Sequence, residues 1–300
     1  MDFDLAQLRA LSAVVSAGTF DAAARALHVT PSAISQRLKA LEAAAGRVLV
    51  VRSKPVRVTA SGQVVLRLAR QVEVLTADTA RHLGTEHASR PVTLPIAVNA
   101  DSLATWVLPA LAPLADTVCV DLHRADQNHT SALLREGTVM AAVTADAEPV
   151  PGCSSTPLGS MSYQPMAAPG FAAQWFPDGV TARALANAPV VVFDREDDLQ
   201  HHYLRLRTDQ LDPPVHHVPS SADFLTAVAL GLGWGMLPDL QSAVHYRDGH
   251  LVDLDPDGAT DVTLHWQQWR LRSPTLDRVA DAVLAAAATH LDQPRRGRTT

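Results

Sequence analysis

Thr19–Glu42, TFDAAARALHVTPSAISQRLKALE, reads as two short helices joined by a tight turn. Ala22, Ala23, Ala24 and Leu27 give the first helix a small-residue face that another helix can approach closely. Thr19 or Asp21 can cap its start, because either side chain accepts a bond from a free first-turn N–H. Thr30-Pro31-Ser32 opens the second helix. Thr30 is a natural cap, and Pro31 at the first helical position loses nothing by lacking an N–H. Ala33, Ile34, Leu38 and Leu41 recur at helical spacing and face inward, which leaves Ser32, Ser35, Gln36 and Lys39 outward. Short hydrogen-bonding groups at that end of a second helix are the kind that read base edges in a major groove. An ordinary alanine-rich helical pair would share part of this pattern, so the flanks decide.

Upstream, Phe3, Leu5, Leu8, Leu11 and Val14-Val15 form an amphipathic helix ending at Gly18. Downstream, Gly46 stops the recognition helix, and Val48–Val51 and Val56-Arg57-Val58 are two β-rich runs around Arg52-Ser53-Lys54-Pro55. A two-stranded hairpin with a basic tip is a wing, and its tip residues Arg52, Ser53 and Lys54 would lie against phosphates or enter the minor groove. Charge supports this division. Residues 1–90 hold 12 Lys and Arg against 7 Asp and Glu, a net of +5, whereas the whole chain is −6 and residues 91–300 therefore −11. A basic head on an acidic body suits DNA binding confined to one end.

After Gly62, Val65, Leu68, Val72, Leu75 and Thr79 follow steps of three and four, and Leu83 continues the face. That heptad-like seam cannot be buried by one helix, and it predicts a dimerisation helix with Arg67, Arg70, Glu73, Asp78 and Arg81 in more exposed positions. Two recognition helices held roughly 34 Å apart could then read a palindromic site. Ser89-Arg90-Pro91 reads as a hinge. Beyond it, Val92–Val98, Thr117–His123, Val139–Thr144, Pro189–Phe193, Val215–Pro219 and His265–Leu271 are strand-like, alternating with helical runs, which predicts parallel sheets covered on both faces. Helices are expected over Leu103 to about Leu114, Thr130–Gly137, Ser220–Leu230 and Asp277–Leu291, and the tail Gln293–Thr300 reads as disordered.

The head can now be compared with a family. Residues 1 to about 65 resemble the N-terminal domain of LysR-type transcriptional regulators in AAARALHVTPSAISQRLKALE, then VVRS, then VTASG. Val50 and Val58 stand where that family commonly has Phe and Leu, and both remain apolar. The resemblance implies an α/β protein with a winged helix-turn-helix over 1–60 and a linker helix and hinge over 61–90. Residues 91–300 would be a periplasmic-binding-protein-like effector domain of two α/β subdomains, one over about 91–160 and 266–292, the other over about 161–265. It also implies a homodimer or homotetramer on double-stranded operator DNA, with contact to RNA polymerase.

Ligands in such folds lie at strand carboxyl ends and against helix N-termini. Asp101-Ser102 and Ser220-Ser221 open two helices in that position, and Asp101, Asp126, Asp194 and the run Glu196-Asp197-Asp198 could meet a cation. NADSLATWVLPAL, DQNHT, FDREDDLQHHYL, VPSSADFLTAVALGLGWGMLP and HWQQWRL further resemble the LysG/ArgP branch, which senses lysine or arginine and controls export of basic amino acids. What that branch implies is an α-carboxylate at Ser102 or Ser220, acids on the cations, Trp106 packed on the aliphatic stem, and His129 and Ser221 nearby. A LysR-type regulator of another small anion, or an architectural DNA-bending protein, are the alternatives.

No enzyme is expected, and no metal or cofactor. His201-His202 and His216-His217 are adjacent pairs, which on a strand point to opposite faces and poorly chelate one ion. Gly231, Gly233 and Gly235 follow a helix and precede a strand, the reverse of a dinucleotide loop. Cys119 and Cys153 are too few for a disulfide framework. Acidic Asp2 and Asp4 do not suit a signal peptide, and no run of eighteen residues is uniformly apolar, so a cytoplasmic protein without a membrane span is expected.

Overall fold

A computed structural model describes residues 2–84, 91–124, 127–207 and 213–293, those at 127–129 by backbone alone. The head begins with α1 (Leu5–Ala17), whose first N–H groups are taken by the Asp4 carboxylate and which ends on left-handed Gly18. Thr19 caps α2 (Phe20–Ala26), and Thr30 caps α3 (Pro31–Ala45), which Gly46 terminates in the left-handed region. Leu8, Leu11, Val14, Ile34, Leu38 and Leu41 close a common core. Strands β1 (Val50–Val51) and β2 (Arg57–Val58) pair antiparallel as the wing. Glu42 on α3 accepts from the Leu49 N–H at 2.9 Å, which ties the recognition helix to the base of the wing.

Thr59 starts the linker helix α4 (Ala60–His82), accepting from Gly62 N at 3.0 Å and donating to the Val48 carbonyl at 2.7 Å. A side chain at Gly62 would overlap the Leu49 carbonyl, so glycine is required where helix and wing cross. The expected seam divides. Val65 and Val72 pack into the head core, whereas Val64, Leu68, Leu75 and Leu83 are exposed as a separate face. Two charges expected outside are buried, Arg70 at 3% and Asp78 at 6% exposure. The reason is that α4 lies between two bodies. Ser12 of α1 donates to Glu73 at 3.0 Å, and Arg70 donates to Ser16 at 3.3 Å. Burial lowers the Arg70 guanidinium to about 10, against the raising effect of Glu73 and Asp121.

The remaining chain folds around one mixed sheet. Strand β3 (Val92–Val98) leads into a continuous helical run. This comprises α5 (Ala100–Ser102), a π-turn over Leu103–Val107, α6 (Leu108–Leu111) and a 3-10 turn over Ala112–Leu114. Then come β4 (Val118–Arg124), α7 (Gln127–Arg135), β5 (Ala141–Thr144) and the long β6 (Cys153–Ala167). A smaller layer follows: α8 (Pro169–Trp175), α9 (Ala182–Asn187), β7 (Val190–Val192), α10 (Leu199–Arg205), β8 (Val215–His217), α11 (Ser221–Ala229), β9 (Gly235–Pro238), α12 (Asp239–Arg247) and β10 (Val252–Asp253). The chain returns through β11 (Thr260–Trp269) and ends on α13 (Pro274–His290).

The expected parallel pairing holds for β3 with β4 and β5, and for β7 with β8. It fails for β6 and β11, which run antiparallel to each other, and β11 runs antiparallel to β5. Strand β6 was not legible because Pro157, Gly159 and Pro165 interrupt it. The ladder slips between Leu264 and His265, opposite Gly159, which has a φ of 127° and whose missing side chain leaves room for the Asp292 carbonyl. Trp106, Trp266 and Trp269 are wholly buried in a large core that continues past this bend to Tyr203 and Trp234, while Met166, Val191, Phe224 and Leu237 form a smaller cluster in the second layer. No helix among the described residues is long and apolar enough to cross a membrane.

Linker and body are joined through Asp78. It accepts from Ser273 at 2.6 Å and Thr275 at 2.5 Å, both at the start of α13, and from Arg81 at 2.9 Å. Farther up α4, the Arg67 guanidinium lies 4.9 Å from the centre of the Trp269 ring. Replacing Asp78 with Ala strands two buried hydroxyls. It is expected to destabilise the chain by about 2–3 kcal/mol, read as a lower denaturation midpoint at unchanged slope.

Candidate functional site

Two surfaces carry the chemistry, and the head is the simpler. Ser32, Gln36 and Lys39 are exposed along α3, and Ser35 is half-buried between them. Thr30 and Pro31 are also exposed, but Thr30 is engaged by the Ala33 N–H at 3.2 Å as the helix cap. On the wing, Lys54 projects at the tip, and Arg52 lies 5.3 Å over the Phe20 ring of α2. Ser53 shapes the tip itself, donating its hydroxyl to the Pro55 carbonyl at 2.6 Å.

The second surface is a cleft of about 790 Å³ between the two layers, walled by the start of α5, the ends of β4 and β7, and α10 and α11. Asp101 is at its centre. Its two oxygens accept from the Tyr163 hydroxyl at 2.9 Å and the Ser221 hydroxyl at 2.7 Å. Tyr163 stands on β6 beyond the bend and Ser221 on α11, so this acid of the first layer is held by donors of the second. Burial pushes the Asp101 carboxyl above the usual carboxylate range, and the two hydroxyls only partly offset it. Tyr163 is raised well above its ordinary value by burial and by the neighbouring Asp101.

A second acidic group comes from the turn after β7. Asp194 accepts from the N–H groups of Glu196 and Asp197 at 2.8 and 3.0 Å, and Asp197 from those of Phe193 and Leu199, both at 3.1 Å. Burial raises Asp197, and nearby Asp101 and Asp194 raise it further. Asp198 turns outward to an exposed, two-point pair with Arg205. Gln200, almost wholly buried, lines the wall with an Oε1 that finds no donor among the described residues. An arrangement of close, half-buried carboxylates with spare acceptor capacity suits a ligand with more than one cationic N–H group.

Of the residues expected to hold an effector, Asp101, Asp194 and Ser221 line this wall together. Ser102 and Trp106 do not. They stand one helical turn apart, about 100° round from Asp101, on the face packed into the core, and both are wholly buried. The Trp106 ring therefore cannot lie on a ligand stem. Ser220 is half-buried at the N-cap of α11 and lies outside the wall, one residue short of Ser221. Asp126 and the side chain of His129 lie outside the described residues. Tyr163, Arg124 and Gln241 were not anticipated. Arg124 alone carried a signal, since it ends a strand of the parallel set where ligands gather.

Fold and cleft together are those of an effector-responsive regulator, and comparison with known proteins agrees. Residues 5–63 match the family described as bacterial regulatory helix-turn-helix protein, lysR family, and residues 89–288 match the LysR substrate binding domain. The chain belongs to the LysR family: it is a sequence-specific, DNA-binding transcription regulator that responds to a small effector, and not an enzyme. It is 45% identical over 294 residues to the HTH-type transcriptional regulator LysG of Mycobacterium tuberculosis, covering 97% of this chain and 96% of that one. The crystal structure of ArgP from the same organism superimposes with a TM-score of 0.83 at 44% identity, over 98% of this chain and 100% of that one. Full-length LysG of Corynebacterium glutamicum with bound effector Arg gives a TM-score of 0.74 at 38% identity, over 97% and 100% of the two chains.

Base reading and phosphate contact are expected to separate by mutation. Gln36→Ala should lower discrimination between operator and altered sites by about 1–3 kcal/mol. Lys54→Ala should instead weaken all duplexes alike and reduce the salt slope by about one. Binding titrations at several salt concentrations distinguish the two, and a changed sequence preference in Lys54→Ala would remove the wing tip from its phosphate role.

Proposed function

We propose that the chain senses a basic amino acid, lysine or arginine, in this cleft and controls a gene for export of basic amino acids. The observation that carries the reading is the half-buried Asp101 carboxylate, raised by desolvation and followed along the wall by Asp194 and Asp197. Carboxylates crowded in this way repel one another, and a ligand that brings cationic N–H groups among them relieves that repulsion. A small anion would add to it. The Corynebacterium relative with bound Arg supports the same class of ligand, as does the name of that organism's 40% identical protein, lysine export transcriptional regulatory protein LysG.

The proposed mechanism is a shift of population. The two subdomains, about 91–160 with 266–292 and about 161–265, meet across the cleft, and an effector that touches both favours one relative arrangement. Because Asp78 and Arg67 hold α4 on the first subdomain, and α4 carries the head, that arrangement reaches the DNA. Residues Ser32, Ser35 and Gln36 read bases, while Lys39, Arg52 and Lys54 hold phosphates. The exposed face of Val64, Leu68, Leu75 and Leu83 joins two copies into a homodimer, and pairs of dimers into a tetramer that bends operator DNA. The protein acts in the cytoplasm, where RNA polymerase is its partner in transcription.

Calorimetric titration with lysine, arginine and leucine tests the sensor reading: saturable binding of a basic amino acid and none of leucine is expected. Asp101→Asn should weaken that binding by about 2 kcal/mol or more, roughly 30-fold. A cation favours the ionised carboxylate, and burial raises the proton affinity of Asp101 in the free protein. Binding should therefore weaken on going from about pH 7.5 to about pH 5.5, sooner than an ordinary carboxylate would dictate, and Asp101→Asn should flatten that dependence. For assembly, Leu68→Glu with Leu75→Glu should shift the sedimentation coefficient toward the monomer and abolish operator binding at nanomolar protein.

A further inference from the structure

Among the described residues that line the cleft there is one guanidinium, Arg124, in a wall otherwise rich in carboxylates. It ends β4, in register with Val98 at the end of β3, and Asn99, Ala100 and Asp101 follow Val98 directly. Adjacent strand ends thus place a fixed positive charge and the central carboxylate on the same edge of the sheet. The guanidinium also reaches toward the other subdomain, lying 5.7 Å from the centre of the Phe193 ring just after β7. Stacking on a ring holds the plane of a guanidinium while leaving its N–H edge able to donate.

We propose that Arg124 receives the α-carboxylate of the effector, so that the cleft takes an amino acid and rejects the same cation lacking that carboxylate. This rests on the reading of the cleft as a basic amino-acid site. The sites expected from sequence do not compete for the role. Ser102 is buried away from the wall and Ser220 lies outside it. The start of α11 is occupied by the contact of Ser221 with Asp101, whose ionised form repels a second carboxylate there. Arg124 offers a planar fork of donors, which matches a carboxylate in two-point geometry. The charges of the ligand are thereby read in order: carboxylate at Arg124, cations toward Asp101, Asp194 and Asp197. Arg124 is a specificity residue in this scheme, and its effect appears as a difference between two ligands.

The test is calorimetry on the full-length protein, wild type and Arg124→Gln, with lysine and arginine and with cadaverine and agmatine, their counterparts without the carboxylate. The wild type should bind the better amino acid at least about 30-fold more tightly than its decarboxylated counterpart. Arg124→Gln should lose most of that factor for the amino acid while the affinity for the amine stays within about threefold, which also shows that the cleft is folded. Arg124→Lys, which keeps charge without the fork, should recover part of the loss. Equal affinity of amine and amino acid for the wild type overturns the role of Arg124, as does an unchanged amino-acid affinity in Arg124→Gln or loss of both ligands together. If the wild type binds neither lysine nor arginine, the basic amino-acid reading fails, and this inference with it.

Discussion

Strands β6 and β11 are paired from Tyr163 opposite Thr260 at one end to Cys153 opposite Trp269 at the other, and the two halves of that ladder belong to different layers. Near the bend, Gly159 takes a backbone angle that other residues rarely adopt, and the register slips between Leu264 and His265. On one side the ladder continues into β5, β3 and β4; on the other it carries β9 and β10. One large core runs from Trp106, Trp266 and Trp269 past the bend to Tyr203 and Trp234, and a smaller cluster around Val191, Phe224 and Leu237 lies within the second layer. The cleft opens between the two layers, which the ladder joins through β6 and β11. Such a connection is stiff along the strands and compliant in twist and bend.

Electrostatics gives that cleft its chemical character. Asp101 and Asp197 are both half-buried and both held above the ordinary carboxylate range, chiefly by desolvation. Neutral donors satisfy them: hydroxyls of Tyr163 and Ser221 for the first, backbone N–H groups for the second. Hydroxyls and amides orient a carboxylate without neutralising it, so the wall keeps a negative potential that a ligand cation can use. Asp198, paired with Arg205 in the open, shows the opposite case, a carboxylate lowered by its partner.

The linker helix contacts both the head and the body. Its buried polar side chains are divided between two neighbours: Arg70 and Glu73 bond to α1, Asp78 to the start of α13. Polar groups buried this way fix relative orientation more sharply than apolar packing, because a misplaced helix leaves donors unpaired. The same helix leaves Val64, Leu68, Leu75 and Leu83 exposed. One element therefore serves three surfaces, and a pattern of alternating threes and fours could not separate them. Val65 and Val72 fitted the seam as well as Leu68 did, yet they belong to the head core.

Local chemistry determined a good deal by itself. Thr19, Thr30-Pro31 and Gly46 set the ends of α2 and α3 through caps and backbone preferences that act over a few residues, and the helix-turn-helix follows from them. The strands β3 and β4 and the acids Asp101 and Asp194 were legible for the same reason, from apolar runs and from their place after a strand. What only the tertiary structure decided is which neighbours face the cleft. Asp101 and Ser102 are consecutive, but helical rotation sends one to the wall and the other to the core. Tyr163 and Ser221 approach Asp101 from 62 and 120 residues away in sequence, brought together by the bend of β6 and the return of the chain through the second layer. Short-range preferences cannot encode such meetings, because they depend on how two layers close against each other.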